Sequence, residues 1–243
     1  MMYPDIANCR NCSHTVNGNF CGHCGQPVNI KRVDSHYILH EIQHVLHFEK
    51  GILYTIKELL IRPGQNIKEF IGDNRSRLVK PILFIIITSL IYTIINHFFH
   101  IEQGYIVYTG TKKSAVGSIV DWVQNHYGYG NIMMGIFISF WLKLFFKKYN
   151  YNFFEILILL CFVMGVGMLI FSFFAFIEGL TKYSLMKVSG PMGVAYCTWA
   201  IAQFFNKKKV SSYLKAFIAY SLGMLTFSIS IGGLGILIDI LMK

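Results

Sequence analysis

Charge is the scarcest property of this 243-residue chain. Only 14% of its residues are charged, against about 25% in an ordinary soluble domain, and so few charges cannot cover the surface of a soluble fold. Acidic residues are the rarer sign, 12 against 22 basic. No long apolar run occurs before Val79, and Met1-Met2-Tyr3-Pro4-Asp5 has neither a basic n-region nor an apolar core. A cleavable signal peptide is therefore not expected. There is no P-loop, dinucleotide fingerprint or serine nucleophile motif, and no internal repeat of useful length. Residues 1–30 hold one basic residue, Arg10, against one acidic residue, Asp5. Binding a phosphate backbone needs clustered cations, so nucleic acid is disfavoured as a partner of this segment. Together these absences exclude an ordinary soluble enzyme, a disordered chain and a secreted disulfide scaffold.

What fills the chain instead is apolar: 54% of residues are hydrophobic and 16% aromatic. A bilayer crossing needs roughly 20 apolar residues, and five spans of suitable character lie at about 80–99, 131–147, 153–178, 187–205 and 214–241. Lys143, inside the second, is close enough to its end to snorkel. With a cytoplasmic N-terminus, 17 basic residues fall inside and five outside. The positive-inside rule thus predicts an inner-membrane protein with N-terminus in the cytoplasm and C-terminus outside. The expected fold class is an all-α membrane protein of about five transmembrane helices, preceded by a small four-cysteine zinc ribbon and juxtamembrane amphipathic helices. The corresponding domains are 1–30 (ribbon), 31–78 (cytoplasmic juxtamembrane helices) and 79–243 (bundle). The loop at 100–130 carries Tyr105, Tyr108, Trp122, Tyr127 and Tyr129, ordinary interfacial anchors, and an interfacial helix near Ser114–Gln124. Glu155, Glu178 and Asp239 sit near span ends, as do His97 and His100. With none at a midplane, an ion-coupled transporter is disfavoured.

Four of the six cysteines stand within sixteen residues, as Cys9-Arg-Asn-Cys12 and Cys21-Gly-His-Cys24. Two facing Cys-x-x-Cys knuckles suit a tetrahedral four-thiolate site, and one structural Zn²⁺ per chain is expected on Cys9, Cys12, Cys21 and Cys24. Two disulfides would need an oxidising compartment, and a thioredoxin-like redox pair would need a βαβ context. Gly22 and Gly25 are expected to supply positive-φ turns, and Phe20 an apolar lid. His14 and His23 are surplus to the ligand set. Cys161 and Cys197, inside apolar runs, read as small buried hydrophobes.

Helical periodicity is expected over Asp34–Glu49, Gly51–Ile61 and Asn66–Ile71, lying on the membrane surface or packed beneath the bundle. On the first helix, Ile38, Leu39, Ile42, Val45 and Leu46 form one arc, with His36, His40, His44 and His47 opposite. His40-Glu41-Ile42-Gln43-His44 matches H-E-x-x-H, in which two histidines hold zinc and the glutamate activates its water. A third ligand would have to come from His47, Glu49 or Glu58. The richness of the segment in histidine and its outward polar face favour a solvated surface over a catalytic centre.

The ordered combination of the cysteine knuckles with Gly18-Asn-Phe-Cys-Gly-His-Cys-Gly-Gln26, the histidine-rich helix, Glu49-Lys50-Gly51 with Thr55, Glu58-Leu-Leu-x-Arg-Pro-Gly64, and Gly72-x-x-Arg75 ahead of Pro81 resembles a bacterial domain-of-unknown-function family (3667). The sequence departs from that pattern at Asp73-Asn74, where a more basic stretch is expected. The resemblance implies a cytoplasmic zinc ribbon, a juxtamembrane helical segment and several transmembrane helices, and no activity. The leading expectation is a multi-pass membrane protein, embedded in the lipid bilayer, whose ribbon docks a cytoplasmic protein partner. The alternatives are a membrane-bound zinc metalloprotease using His40, Glu41 and His44, and a small transporter or transporter subunit.

Overall fold

The computed structural model describes residues 7–9, 11–16, 18–25, 51–75, 77–99, 114–181, 183 and 185–242. The chain forms two compact units, Met1–Val45 and Leu46–Lys243. In the first, strands β1 (Ala7–Asn8) and β2 (Thr15–Val16) pair antiparallel, with Ala7 opposite Val16.

The second unit is helical: α1 (Ile52–Ile61), α2 (Pro63–Gly72), α3 (Pro81–Phe98), α4 (Ala115–Asn125), α5 (Tyr127–Phe145), α6 (Phe153–Thr181), α7 (Met186–Asn206) and α8 (Val210–Leu241). Proline occupies the first turn of α2 and of α3, where its missing N–H is lost to no helical bond and its fixed φ suits helix entry. Arg62-Pro63-Gly64, which reads in sequence as a stop, is thus also a start, and α2 begins three residues before the expected Asn66. Ser114 caps α4 by accepting the Gly117 N–H at 3.1 Å.

Four helices, α3, α5, α6 and α8, are long and apolar enough to cross a membrane. The expected fifth span, 187–205, is the helix α7, but Lys187, Ser189, Gln203 and Asn206 lower its apolarity below that of the others. Packing accounts for this difference. Cys197 lies against the Val163 carbonyl and Gly193 against Phe171, so α7 runs antiparallel along α6. Its 21 residues extend about 31 Å, enough to cross the same thickness while protein neighbours cover much of its surface.

The remaining contacts give an alternating bundle. Phe84 meets Gly165 and Phe99 meets Gly179, so α3 and α6 run parallel. Ile138 meets Gly223, while Leu144, Phe145 and Lys215 share a second lining, so α5 and α8 run antiparallel. The end of the bundle where α3 begins also holds α1, α2 and the turns before α6 and α8. The opposite end holds α4 and the end of α8, where Asp239 accepts the Ala115 N–H at 2.8 Å.

Burial is concentrated in α6, where two thirds of the most apolar window lies inside the structure, against 11% in α8. Side chains such as Ile94, Phe98, Phe140, Phe173, Leu225 and Ile229 are exposed, a large apolar surface of the kind lipid contact requires. A Cβ added at Gly223 would stand 2.5 Å from the Ile138 Cα, whereas one at Gly232 would meet nothing within 4 Å. Gly223→Leu is therefore expected to force α5 and α8 apart, costing about 1–3 kcal/mol or more. The thermal midpoint of the detergent-solubilised protein should fall by several degrees, with Gly232→Ala as the unaffected control.

Candidate functional site

The two cysteine knuckles fold alike. The Cys9 carbonyl accepts the Ser13 N–H and the Cys21 carbonyl accepts the Gly25 N–H, both at 2.8 Å. Each loop closes on a residue of positive φ, Ser13 at 57° and Gly25 at 75°. Gly25 fills its expected role, but the first knuckle uses Ser13, and Gly22 is not among the residues of positive φ. Phe20 is 65% exposed and covers nothing as a lid. Instead, Cys9, Val16 and Cys21 form the small buried cluster, with Cys12 packed against it. His14 and His23 stack on each other, ring centroids 5.3 Å apart, outside the sulfur set.

All four Sγ atoms lie within 4.8 Å of one another, with Cys9–Cys24 at 3.5 Å and Cys12–Cys21 at 3.6 Å. These are free thiols, far outside the S–S bond length of about 2.05 Å. A tetrahedral ion with metal–sulfur bonds of about 2.3 Å separates its ligands by about 3.8 Å, which falls within the observed spacing. The four cysteines can hold a metal ion.

Electrostatics divides the four thiols. The Cys12 and Asn11 backbone N–H groups point at the Cys9 sulfur and hold its pKa down at about 6. The corresponding Cys24 and His23 amides lower that of Cys21. At Cys12 the His14 amide favours the thiolate, but desolvation and the neighbouring sulfurs outweigh it and push the pKa up to about 12. Four thiolates this close repel one another, and a central cation removes that repulsion.

The histidine motif His40-Glu41-Ile42-Gln43-His44, with His36 and His47, lies outside the described residues, as do Tyr105 and Tyr108. Among the described residues no second cluster brings three His, Cys, Asp or Glu ligand atoms together. The carboxylates near span ends serve the backbone. Glu155 and Asn152 exchange reciprocal bonds at 2.7 and 2.9 Å in a capping box at the start of α6. Glu178 accepts the Leu185 N–H at 2.7 Å across the α6–α7 turn, and Asp239 holds the start of α4.

A second set of polar side chains ties α1 and α2 to the bundle. Arg77 forms ion pairs with Glu58 and Glu69 and donates to the Tyr54 hydroxyl at 3.1 Å. Thr55 accepts the buried Val79 N–H at 3.1 Å. Asn66 donates to the Glu58 and Arg62 carbonyls, closing the C-terminal end of α1. Tyr196 of α7 donates to the Leu59 carbonyl at 3.0 Å. Gly64 sits so close to α7 that a Cβ there would lie 2.3 Å from the Gln203 carbonyl carbon. Leu59 and Ile67 are fully buried in the core they share with α6 and α7. Of the two expected positions, packing beneath the bundle is therefore the one α1 and α2 adopt.

A family model described as protein of unknown function (DUF3667) matches residues 49–93. Over that segment the chain is similar to the family. No curated protein and no solved structure matches the chain. The DUF3667 segment comprises α1, α2 and most of α3, so the family match covers the polar set just described apart from Tyr196. Its motif residues have packing roles: Gly51 at φ 57° precedes α1, Thr55 and Glu58 receive donors, Pro63 starts α2 and Gly64 permits the approach to α7. Neither Arg77 nor Asn66 belongs to a recognisable sequence motif. Arg77 carries no local signal, since its partner Glu58 is 19 residues away. Asn66 had one: a polar residue directly beside the buried Ile67.

Two measurements test these assignments. With Cys12 protonated at neutral pH, metal binding must expel at least one proton. Cobalt(II) affinity, followed by its thiolate charge-transfer band, should rise about tenfold per pH unit for each proton displaced. The slope should steepen below about pH 6, where Cys9 also protonates. Arg77→Gln should lower the thermal midpoint modestly, consistent with about 1 kcal/mol for partly exposed pairs, and its effect should shrink in a Glu58→Gln/Glu69→Gln background.

Proposed function

We propose that this protein is a multi-pass protein of the inner membrane whose N-terminal ribbon holds one structural zinc ion and docks a cytoplasmic protein partner. The observation that carries this reading is the closed ligand set. Four thiolates complete a tetrahedral sphere, leaving no position for a water or substrate, which is the pattern of structural and not catalytic zinc. Zinc suits such a donor set because it has no geometric preference of its own and binds thiolate strongly. A ribbon with so little charge is better suited to protein contact than to a phosphate backbone.

The distribution of basic residues supports a cytoplasmic N-terminus. Lys143, Lys147, Lys148, Lys207, Lys208, Lys209 and Lys215 lie at the same end of the bundle as α1 and α2. That is the side the positive-inside rule assigns to the cytoplasm. Five alternating helices then carry the C-terminus to the outside.

Elemental analysis of the purified full-length protein should find one zinc per chain, lost in Cys9→Ser/Cys12→Ser and unchanged in His40→Ala/His44→Ala. A second zinc that disappears with the two histidines would overturn this reading in favour of a metalloprotease. For docking, crosslinked partners of the intact protein should disappear when residues 1–30 are deleted. A deletion that keeps every partner would leave the ribbon without the docking role.

A further inference from the structure

A cleft of about 910 Å³ opens between α2 and the α7–α8 turn. Its size falls within the range of about 300–1,000 Å³ typical of small-molecule sites. Arg62, Lys68, Lys207 and Lys208 line it, together with the carboxylates of Glu69 and Asp73. Glu69 is already engaged, because Arg77 pairs with it and the Gln65 amide donates to it at 2.9 Å. None of the four cleft cations forms an ion pair among the described residues. Asp73 is thus the one lining carboxylate left to offset them, and the cleft carries an uncompensated positive charge.

Lys68 and the turn that carries Lys207 and Lys208 are also held in place. The Lys68 ammonium lies over the Phe204 ring, 5.8 Å from its centroid. Asn206 Oδ1 accepts the Lys208 N–H at 3.0 Å, and the Tyr213 hydroxyl donates to the Lys207 carbonyl at 3.2 Å. The turn presenting Lys207 and Lys208 is therefore built before any ligand arrives, which lowers the ordering cost of binding.

The cleft's depth points to what fills it. It stands where α7 ends and α8 begins, the end that the topology proposed above sets on the cytoplasmic side, beside the lipid headgroups. Ile61, 56% exposed, lines the same opening and offers an apolar lip beside the charges. Basic pockets between transmembrane helices on the cytoplasmic side recognise anionic headgroups. We propose that this cleft binds a phosphate-bearing anion, supplied by the headgroup of an anionic phospholipid. The inference rests on the proposed topology but is independent of the metal site and of the ribbon's partner.

The full-length protein, purified in detergent, is offered phosphatidylglycerol or phosphatidylcholine and the retained lipid counted by native mass spectrometry. Wild type should retain phosphatidylglycerol in preference. Lys68→Gln/Lys207→Gln should weaken that retention roughly tenfold or more, given about 1 kcal/mol per basic residue near an anionic surface. Lys147→Gln/Lys148→Gln removes the same charge at the same end but outside the cleft, and should retain the lipid as wild type does. A calorimetric titration with inorganic phosphate forms the second arm. Cleft-dependent binding of phosphate without lipid retention would keep the site and assign it to a soluble phosphate. Equal loss in both double variants, or no preference for phosphatidylglycerol in wild type together with no cleft-dependent phosphate binding, would overturn the proposal. The wild-type comparison stands even if a variant misfolds.

Discussion

Burial of one helix on every face is the constraint from which the second unit's arrangement follows. From Leu159 to Met168, α6 has no exposed residue. Where the surroundings are as apolar as the side chains, helices associate through close packing and small residues more than through a hydrophobic drive. Gly165 and Gly167 meet that requirement: the first lies against Phe84 of α3, the second against Cys197 of α7. α3 and α7 are thereby seated on α6 from different sides. In turn α7 supplies Tyr196 and the Gln203–Phe204 backbone, on which α1 and α2 rest. The family segment thus reaches its place through a helix far away in sequence.

Polar groups within such a bundle need partners, because lipid offers none. Thr88, Ser172, Thr226, Ser228 and Ser230 each donate to the carbonyl four residues earlier. Asn131 donates to Ser89 between α5 and α3 at 3.3 Å. The carboxylates Glu155, Glu178 and Asp239 all cap helix or turn amides. Ionisable residues near a membrane are functional candidates by default, yet these three have structural work that explains them. One cavity inside the bundle, lined by Met134, Met164, Met168, Met224 and Cys197 among other described residues, measures about 30 Å³, room for one or two waters and not for a solute.

The first unit follows a different logic. Among the described residues its buried cluster is three residues with one partner, far too small to offset the entropy of ordering them. Paired knuckles with matching carbonyl–amide closures bring four sulfurs to one point, and a bound ion would join segments that otherwise share two short strands. This explains why a ligand set can be read without knowledge of the rest of the fold: spacing within each knuckle determines it locally.

What the sequence by itself determined is what local spacing and solvent demand: the four cysteines that can hold a metal ion, the apolar spans, and helices beginning near Ser114 and Pro81. Less was legible wherever a residue's meaning depends on a distant neighbour. Gly22 and Gly25 look equally suited to a tight turn, but backbone closure in the first knuckle assigns the positive φ to Ser13. Phe20 resembles a lid until the sulfur cluster packs without it. The span at 187–205 is readable in the sequence, but only the packing of α7 beside α6 and α8 accounts for its polar residues. Arg77, the partner of Glu58 and Glu69, and the cleft between α2 and the α7–α8 turn have no sequence signature at all. Tertiary structure alone decided these, because ion pairs, close approaches and clefts arise between segments whose separation along the chain carries no information about their separation in space.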